Sequence, residues 1–518
     1  MHHWATILIV LVLDYRAEAL TMQSTGRRLT RFSSTKTKSW VSQGRLDQRI
    51  TLKLCNTSGN VAHQESFVSA SGFYERALKK AQFVAAPMVA QSDYAFREMC
   101  RRHGVQCAFT QMYHAGNFSR CKAFRKAHLD IYPAYEFPSN VISQREAPPP
   151  IERGPLVAQI AGHDPAKMLK AAKLILDETE GNVHGIDVNL GCPQSIARKG
   201  RYGAYLLRDL DTVVKVLSTL RQELPNQVGV TAKIRIPDYD DANGTHLKSA
   251  VHRLCGEAKI DLLTIHGRTL MENKTAVRRA DWDKIKLAVN LANEYCVPVL
   301  ANGGIETFAD VQQCLDYTGA QGVMSSEALL ENPGLFVDVT YGSRSAKQWM
   351  ERQFGFALEY LELALQYPPV HGSLGTFYGS HHVVKSHIFK FLHRYLKEHP
   401  DLREDLGRPS TCTIAQTLQV VQQLHNRYLQ MPDAAWDKLE SSNYPHSSWY
   451  RRHRPQATTI IHTRKVDKLM ESQGTKESEL LLSTEARKAH LRERIERIRE
   501  ERQKRQADVT GKVFSGLS

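Results

Sequence analysis

The sequence predicts an α/β fold: a (β/α)8, or TIM, barrel followed by a small all-helical domain. Three observations carry this expectation. First, eight short apolar runs fall at residues 83–86, 107–110, 156–160, 185–189, 228–234, 262–265, 297–301 and 322–324. Amphipathic helix-length stretches separate most of them, at 94–103, 167–178, 211–223, 246–258, 282–294 and 307–317. Strands alternating with helices mean βαβ units and a parallel sheet, and eight units in roughly 250 residues suit a closed barrel better than an open sheet. Second, polar and special residues follow strand after strand: Pro87 and Met88, Gln159, Asn189 with Cys192, Lys233 with Arg235, His266 with Arg268, and Asn302 to Gly304. In a barrel these positions form the C-terminal mouth, where chemistry is done. Third, from residue 345 to 430 the pattern is helical only. One stretch, 382–397, carries Val383, Val384, Ile388, Phe389, Leu392 and Leu396 on an apolar face, with Lys385, Arg394 and Lys397 elsewhere around it.

The chain divides accordingly into a basic leader (1–79) expected to lack fixed structure, a barrel (80–340), a helical domain (345–430) and a charged tail (431–518). The loop before the third strand carries Ala147-Pro148-Pro149-Pro150 and reads as an insertion. In the tail, residues 484–505 interleave Arg and Glu and read as a charged helix.

A hydrophobic fraction of 42% in 518 residues is enough for a sizeable core. The nine cysteines are odd in number, irregularly spaced and form no C-x-x-C pair. That argues against zinc and iron–sulfur sites and for free thiols in a reducing compartment. The formal net charge of +15 points to an anionic partner. The excess is peripheral: about +7 in residues 1–80, +3 in 341–430 and +5 in 431–518, with 81–340 near neutral. An anion in the barrel would therefore be held by local geometry.

The apolar run at residues 5–13 is too short to span a bilayer, and no basic segment precedes it in signal-peptide fashion. Residues 24–49 are rich in Ser, Thr and Arg, with Asp47 the only acid. That composition suits an organelle transit segment, and equally a disordered basic leader. A cytoplasmic or nuclear address is favoured, with organelle import as the alternative, and the chain is expected to be monomeric, without membrane or metal.

The sharpest motif is Asp187-Val-Asn-Leu-Gly-Cys-Pro193. Gly191 and Pro193 fix a tight turn that presents the Cys192 thiol at the end of a strand. Such a thiol can serve as nucleophile, metal ligand or proton donor. After the seventh strand, Asn302, Gly303 and Gly304 leave room for backbone N–H groups to approach a phosphate.

Taken in order, Ala86-Pro-Met88, Val188-Asn-Leu-Gly-Cys-Pro193, Thr231-Ala-Lys-Ile-Arg235, Ile265-His-Gly-Arg-Thr269 and Ala301-Asn-Gly-Gly304 resemble the motif set of the tRNA-dihydrouridine synthase (Dus) family. The segments 191–206 and 384–393 are most similar to its eukaryotic branch acting on positions 16 and 17 of the tRNA D-loop. The resemblance implies an oxidoreductase that reduces the C5–C6 bond of uridine in tRNA with FMN, itself reduced by NADPH. It implies that Cys192 is the general acid, a role for which a thiol suits far better than a serine hydroxyl. Lys233 would stabilise the reduced flavin, His266 and Gln159 would hydrogen-bond it, and Pro87, Met88 and Val89 would pack backbone against it. Asn189 and Arg268 would meet the substrate, Arg268 with phosphate contact as an alternative.

One departure stands out. Most members of the family carry a Gly-Arg or Ala-Arg pair after strand eight, whose Arg supports the FMN phosphate, whereas this chain has Ser325-Ser326-Glu327. A carboxylate cannot pair with phosphate, so the Ser326 hydroxyl and the backbone at Ser326 and Glu327 would have to serve. For RNA, Lys385, Lys390, Arg394 and Lys397 are expected backbone contacts, and residues 444–454 mix Tyr, Trp and Arg in a way suited to stacking. A solvated charged face is the alternative for both. Two other functions fit parts of the pattern: a flavin-dependent reductase or dehydrogenase of a free pyrimidine, and a catalytically silent tRNA-binding protein.

Overall fold

A computed structural model describes residues 72–131, 152–237, 242–272, 279–340, 344–370, 381–440 and 449–450. Most of the basic leader, the 147–150 loop and the 484–505 helix lie outside the described residues. Of the 444–454 segment only Trp449 and Tyr450 are described.

Nine strands are present among the described residues: β1 (Phe83–Ala85), β2 (Cys107–Phe109), β3 (Tyr113–His114), β4 (Leu156–Ala161), β5 (Gly185–Leu190), β6 (Gly229–Arg235), β7 (Leu262–His266), β8 (Val299–Asn302) and β9 (Gly322–Ser325). All their pairings are parallel. β1 pairs with both β2 and β9, β2 pairs with β4, and β4 to β9 follow one another, so eight strands close a barrel. The eight expected runs are these eight strands. The ninth, β3, is a two-residue strand that pairs with the end of β4 on the edge β2 occupies at its start, too short to leave a period in the sequence. β4 and β8 are buried throughout because barrel strands face side chains on one side and helices on the other.

Helices follow the strands, and short polar residues start them. Asp93, Asp164, Asp209 and Asp281 cap Tyr94–Arg102, Pro165–Glu178, Leu210–Glu223 and Trp282–Asn293 with their carboxylates. Thr307 with Asp310, and Ser345 with Gln348, form capping boxes before Phe308–Thr318 and Ala346–Gln366.

The barrel begins before its first strand. Phe73–Ala77 forms a single π-helical turn whose Phe73 and Tyr74 are buried among Val84, Phe109, Val157 and Leu300. The Phe73 ring lies against Gly185 and Gly229, where a Cβ at Gly229 would sit 2.3 Å from it. These two glycines start β5 and β6, so the ring plugs the end of the barrel opposite the mouth. The expected leader therefore contributes apolar anchors at its last residues.

Beyond the barrel lie Ala346–Gln366, His381–Phe391, His393–Glu398, Pro400–Gly407, Ile414–Leu429 and Asp433–Glu440. The stretch expected as a single helix over 382–397 is two, broken at Leu392. Its apolar face docks on the barrel's first helix: His387 stacks on Phe96 and its Nε2 bonds Asp93 Oδ2 at 2.8 Å.

Candidate active site

The functional residues follow from the strand ends. Strand β5 carries Asp187 and Asn189 toward the mouth, and the chain then turns through Gly191-Cys192-Pro193. Four groups hold that turn. Asn189 Oδ1 accepts the Gly191 and Cys192 N–H groups at 3.2 and 3.0 Å. Arg235 Nε donates to Gly191 O at 2.8 Å, the Tyr205 hydroxyl donates to Pro193 O at 3.2 Å, and Ala204 N–H donates to Cys192 O at 3.1 Å. Gly203, at φ +68°, packs so close that a Cβ there would lie 2.7 Å from Cys192 O. Only glycine fits.

Beneath the turn runs a chain of polar side chains. Thr231 Oγ1 and Gln159 Nε2 each donate to the Asp187 carboxylate at 2.7 Å, and Asn189 Nδ2 donates to Gln159 Oε1 at 2.7 Å. Asp187 is fully buried, and burial pushes its carboxyl up to about 6. An ionised carboxylate only accepts, so Asp187 dictates which way the Gln159 amide faces and, through it, Asn189. Asp187 and Thr231 were not singled out as functional from the sequence, although both stand inside the quoted motifs.

Two cavities open at the mouth. The smaller, of about 160 Å3, is lined by Pro87, Val89, Gln159, Asn189, Cys192 and Lys233, among others. The larger, of about 730 Å3, is lined by Arg235, His266, Arg268, Asn302, Gly303, Gly304, Ser326 and Glu327, among others. Gln194, two residues past Cys192, lines both. Met88 lines neither; it packs on the core, its N–H bound by Ser92 Oγ. The expected residues are thus brought together, with the thiol and the lysine in one chamber and the glycine pair and histidine in the next.

The electrostatics differ between the chambers. Burial raises the Cys192 thiol above its ordinary value, against the opposing pull of the Gln194 N–H, Arg235 and Lys233. Burial, with repulsion from Arg235, lowers Lys233 to about 8. Arg235 is itself lowered to about 10 by burial and by neighbouring Arg268. Arg268 Nη1 lies 3.1 Å from His266 Nε2. A guanidinium only donates, so Nε2 accepts and the imidazole carries its proton on Nδ1.

The glycine pair has left-handed backbone, at φ +102° for Gly303 and +80° for Gly304. A Cβ on Gly303 would lie 2.8 Å from His266 Cδ2. Asn302 turns inward, its Nδ2 donating to Met324 O at 2.7 Å, and ties β8 to β9. Glu327 is exposed at the rim.

The helical residues expected to meet RNA lie elsewhere. Lys385 is buried, its ammonium donating to Arg408 O at 2.8 Å. Lys390 is also buried and donates to Gln91 Oε1 and to Ser386. Arg394 pairs with Glu398 at 3.4 Å, and Lys397 is exposed. None of them lines either cavity. The larger cavity does gain a residue from beyond the barrel, Tyr450.

The chain matches the family described as Dihydrouridine synthase (Dus) over residues 84–411. It is similar to the tRNA-dihydrouridine(16/17) synthase-like protein of Rattus norvegicus, 36% identical over 343 residues that cover 65% of this chain and 66% of the relative. The chain thus spans just under two thirds of that relative, and 61% of the corresponding Mus musculus protein. The Schizosaccharomyces pombe tRNA-dihydrouridine(16/17) synthase is 30% identical over 416 residues, covering 78% of this chain and 95% of that protein. Since the matched region runs from the first strand through both chambers and into the C-terminal helices, the chain belongs to the dihydrouridine synthase family.

Proposed function

We propose that this protein reduces the C5–C6 bond of a uridine in the D-loop of tRNA, at position 16 or 17, with FMN bound at the barrel mouth and NADPH as reductant. The family match supports the reaction class. The names of the rat and fission-yeast relatives, which carry both 16/17 and NAD(P)(+), support the position and the reductant. The single observation that carries the mechanism is that Cys192 and Lys233 share one chamber that adjoins the glycine-lined cavity through Gln194.

The residues present fit a flavin nucleotide. A cavity of about 730 Å3 lies within the roughly 300–1,000 Å3 range of ligand pockets. Gly303 and Gly304 line this cavity at the loop position where barrels hold phosphate, in a turn so tight against His266, Ala280 and Trp282 that only glycine fits. Lys233, His266, Gln159 and the backbone at Pro87–Val89 would hold the ring system. When bound, FMN supplies the hydride that ends on C6.

The chain's own groups do the rest. The mouth is recessed, so the uridine must leave the base stack to enter it. Cys192 keeps its proton at neutral pH because burial disfavours the thiolate. It gives that proton to C5, the C5–C6 double bond becomes single, and solvent returns a proton to sulfur. Charged Lys233 and Arg235 beside it stabilise the transient thiolate. Asn189, Arg235, Tyr205 and Ala204 fix the turn so that the thiol meets one face of the pyrimidine.

The test is reduction of unmodified tRNA by the purified protein with NADPH, with dihydrouridine mapped by position. Product at 16 or 17 supports the reading. Product from free uracil instead would make it a free-pyrimidine enzyme, and tRNA binding without NADPH oxidation would make it a silent binder.

A further inference from the structure

Tyr450 lies beyond the family match, which ends at residue 411, yet it lines the 730 Å3 cavity. The residue is 6% exposed. The seat that holds it is specific. The two oxygens of the Glu331 carboxylate accept the successive backbone N–H groups of Trp449 and Tyr450 at 3.0 and 3.1 Å. The Lys390 ammonium stands 5.3 Å from the centre of the Trp449 ring. Glu331 is itself tied back, its carbonyl accepting Gln353 Nε2 at 3.2 Å. A carboxylate, a cation and a buried aromatic thus fix two residues of the C-terminal segment against the mouth.

The place of this seat indicates what Tyr450 does there. Glu331 lies in the turn that follows β9, the turn that also supplies Ser326 and Glu327 to the cavity. Barrels bind phosphate with the loops after their last two strands, here the loops after β8 and β9. At that end this chain has Ser325-Ser326-Glu327, whose carboxylate repels an anion. A phenol hydroxyl donates a hydrogen bond without bringing negative charge, which adds to the Ser326 hydroxyl on a loop that carries no cation of its own.

We infer that Tyr450 donates to the phosphate end of the bound flavin nucleotide, so that a segment outside the barrel completes the cofactor site. This rests on the flavoenzyme reading above. Tyr450 is then a binding residue, with Glu331 and Lys390 as its positioning residues.

The test uses full-length protein, stripped of flavin, and its Tyr450→Phe and Glu331→Gln variants. Each is titrated with FMN and with riboflavin, which lacks the phosphate, by quenching of flavin fluorescence. Tyr450→Phe keeps the ring's packing and removes only the hydroxyl. It is expected to raise the Kd for FMN roughly tenfold, the worth of one hydrogen bond to a charged group, and to leave the Kd for riboflavin unchanged. Glu331→Gln puts an amide N–H against a backbone N–H and should shift the FMN Kd in the same direction. An unchanged FMN Kd in Tyr450→Phe, or equal losses for both ligands, overturns the inference. Parental protein that binds neither flavin overturns the flavoenzyme reading and this inference with it.

Discussion

Asn189 Oδ1 accepts the backbone N–H of Cys192 at 3.0 Å, so a residue near the end of β5 fixes the turn that carries the thiol. The same side chain donates to Gln159, which donates to buried Asp187. Asn189→Ala removes an acceptor from two N–H groups and a donor from Gln159. Displacing a reacting group by about 1 Å can lower turnover roughly a hundredfold. We expect kcat to fall on that scale in single-turnover reduction of tRNA, with KM for tRNA and Kd for FMN little changed. Asn189→Asp retains the acceptor and should restore part of kcat. If the loss appeared in flavin binding instead, Asn189 would be a cofactor ligand and not a positioning residue.

Cys192 itself gives the plainest outcome. Cys192→Ala should abolish dihydrouridine formation and leave FMN bound, since the glycine-lined cavity is untouched. Turnover at the parental rate would remove the thiol from the acid role. Cys192→Ser should be nearly as inactive, because a hydroxyl is far too weak an acid.

The pH dependence has a definite sign. The proposed mechanism needs Lys233 charged and Cys192 protonated, and both conditions fail as pH rises. Lys233 is held at about 8 by burial, so kcat should be level below that pH and fall through it. Cys192 is raised above its ordinary value and contributes a later limb. Lys233→Arg, which stays charged throughout, should move the first limb upward; a limb that does not move belongs to another group. Stability runs the other way. Below about 8 the folded protein keeps a buried charge at a cost, and that cost is relieved as the folded lysine loses its proton between about 8 and 10.5. Lys233→Met should therefore raise Tm more at pH 7 than at pH 10.

The barrel was legible because its strands are short apolar runs and its longer helices begin at Asp or Thr. The residues that surround the mouth were legible because polar or special residues follow most of the strand ends, which local sequence shows. What local sequence does not show is which carbonyl will accept a lysine's protons. Lys385 and Lys390 fall outside the apolar stripe of 382–397 and read as surface charge. They are buried because Arg408 O, Gln91 Oε1 and Ser386 surround their ammonium groups, and those partners are distant in sequence or carry no periodic signal. Tyr450 was legible as one aromatic in a mixed basic segment. Its place in the cavity wall depends on Glu331, more than a hundred residues earlier. The break at Leu392 left no proline or glycine to mark it.

The glycine turn offers a test of how His266 is placed. Gly303→Ala meets two obstacles: a left-handed φ of +102°, and a Cβ 2.8 Å from His266 Cδ2. Gly181, at φ +76° with nothing within 4 Å of an added Cβ, meets only the first. Non-glycine residues in such backbone cost about 1–3 kcal/mol. Both variants should lose stability on that scale in urea unfolding. Only Gly303→Ala should also weaken FMN binding, because only there does the methyl displace the imidazole. Equal FMN affinity in the two variants would separate His266 from the cofactor.

The helical segment is coupled to the mouth through His387 and Asp93. Asp93 caps Tyr94–Arg102 directly after the Pro87–Ser92 loop, and its carboxylate also takes the Tyr360 hydroxyl at 3.3 Å. Burial lowers His387, so a neutral imidazole donates from Nε2 to the carboxylate. The carboxyl of Asp93 lies below its usual value despite burial, held there by His387, the Phe96 N–H and Arg97. Removing a neutral donor from a buried carboxylate costs about 1–3 kcal/mol or somewhat more, because the charge is left short of a hydrogen bond and out of water. His387→Ala should lose stability on that scale in denaturant unfolding, and the loss should shrink as pH falls far enough to protonate Asp93 in the variant. His387→Gln, whose amide can donate in place of Nε2–H, should recover part of it. A loss equal in both variants and independent of pH would mean that His387 acts through its stacking on Phe96 alone, and that the helical segment reaches the loop at Pro87–Ser92 by another route, through Lys390 and Gln91.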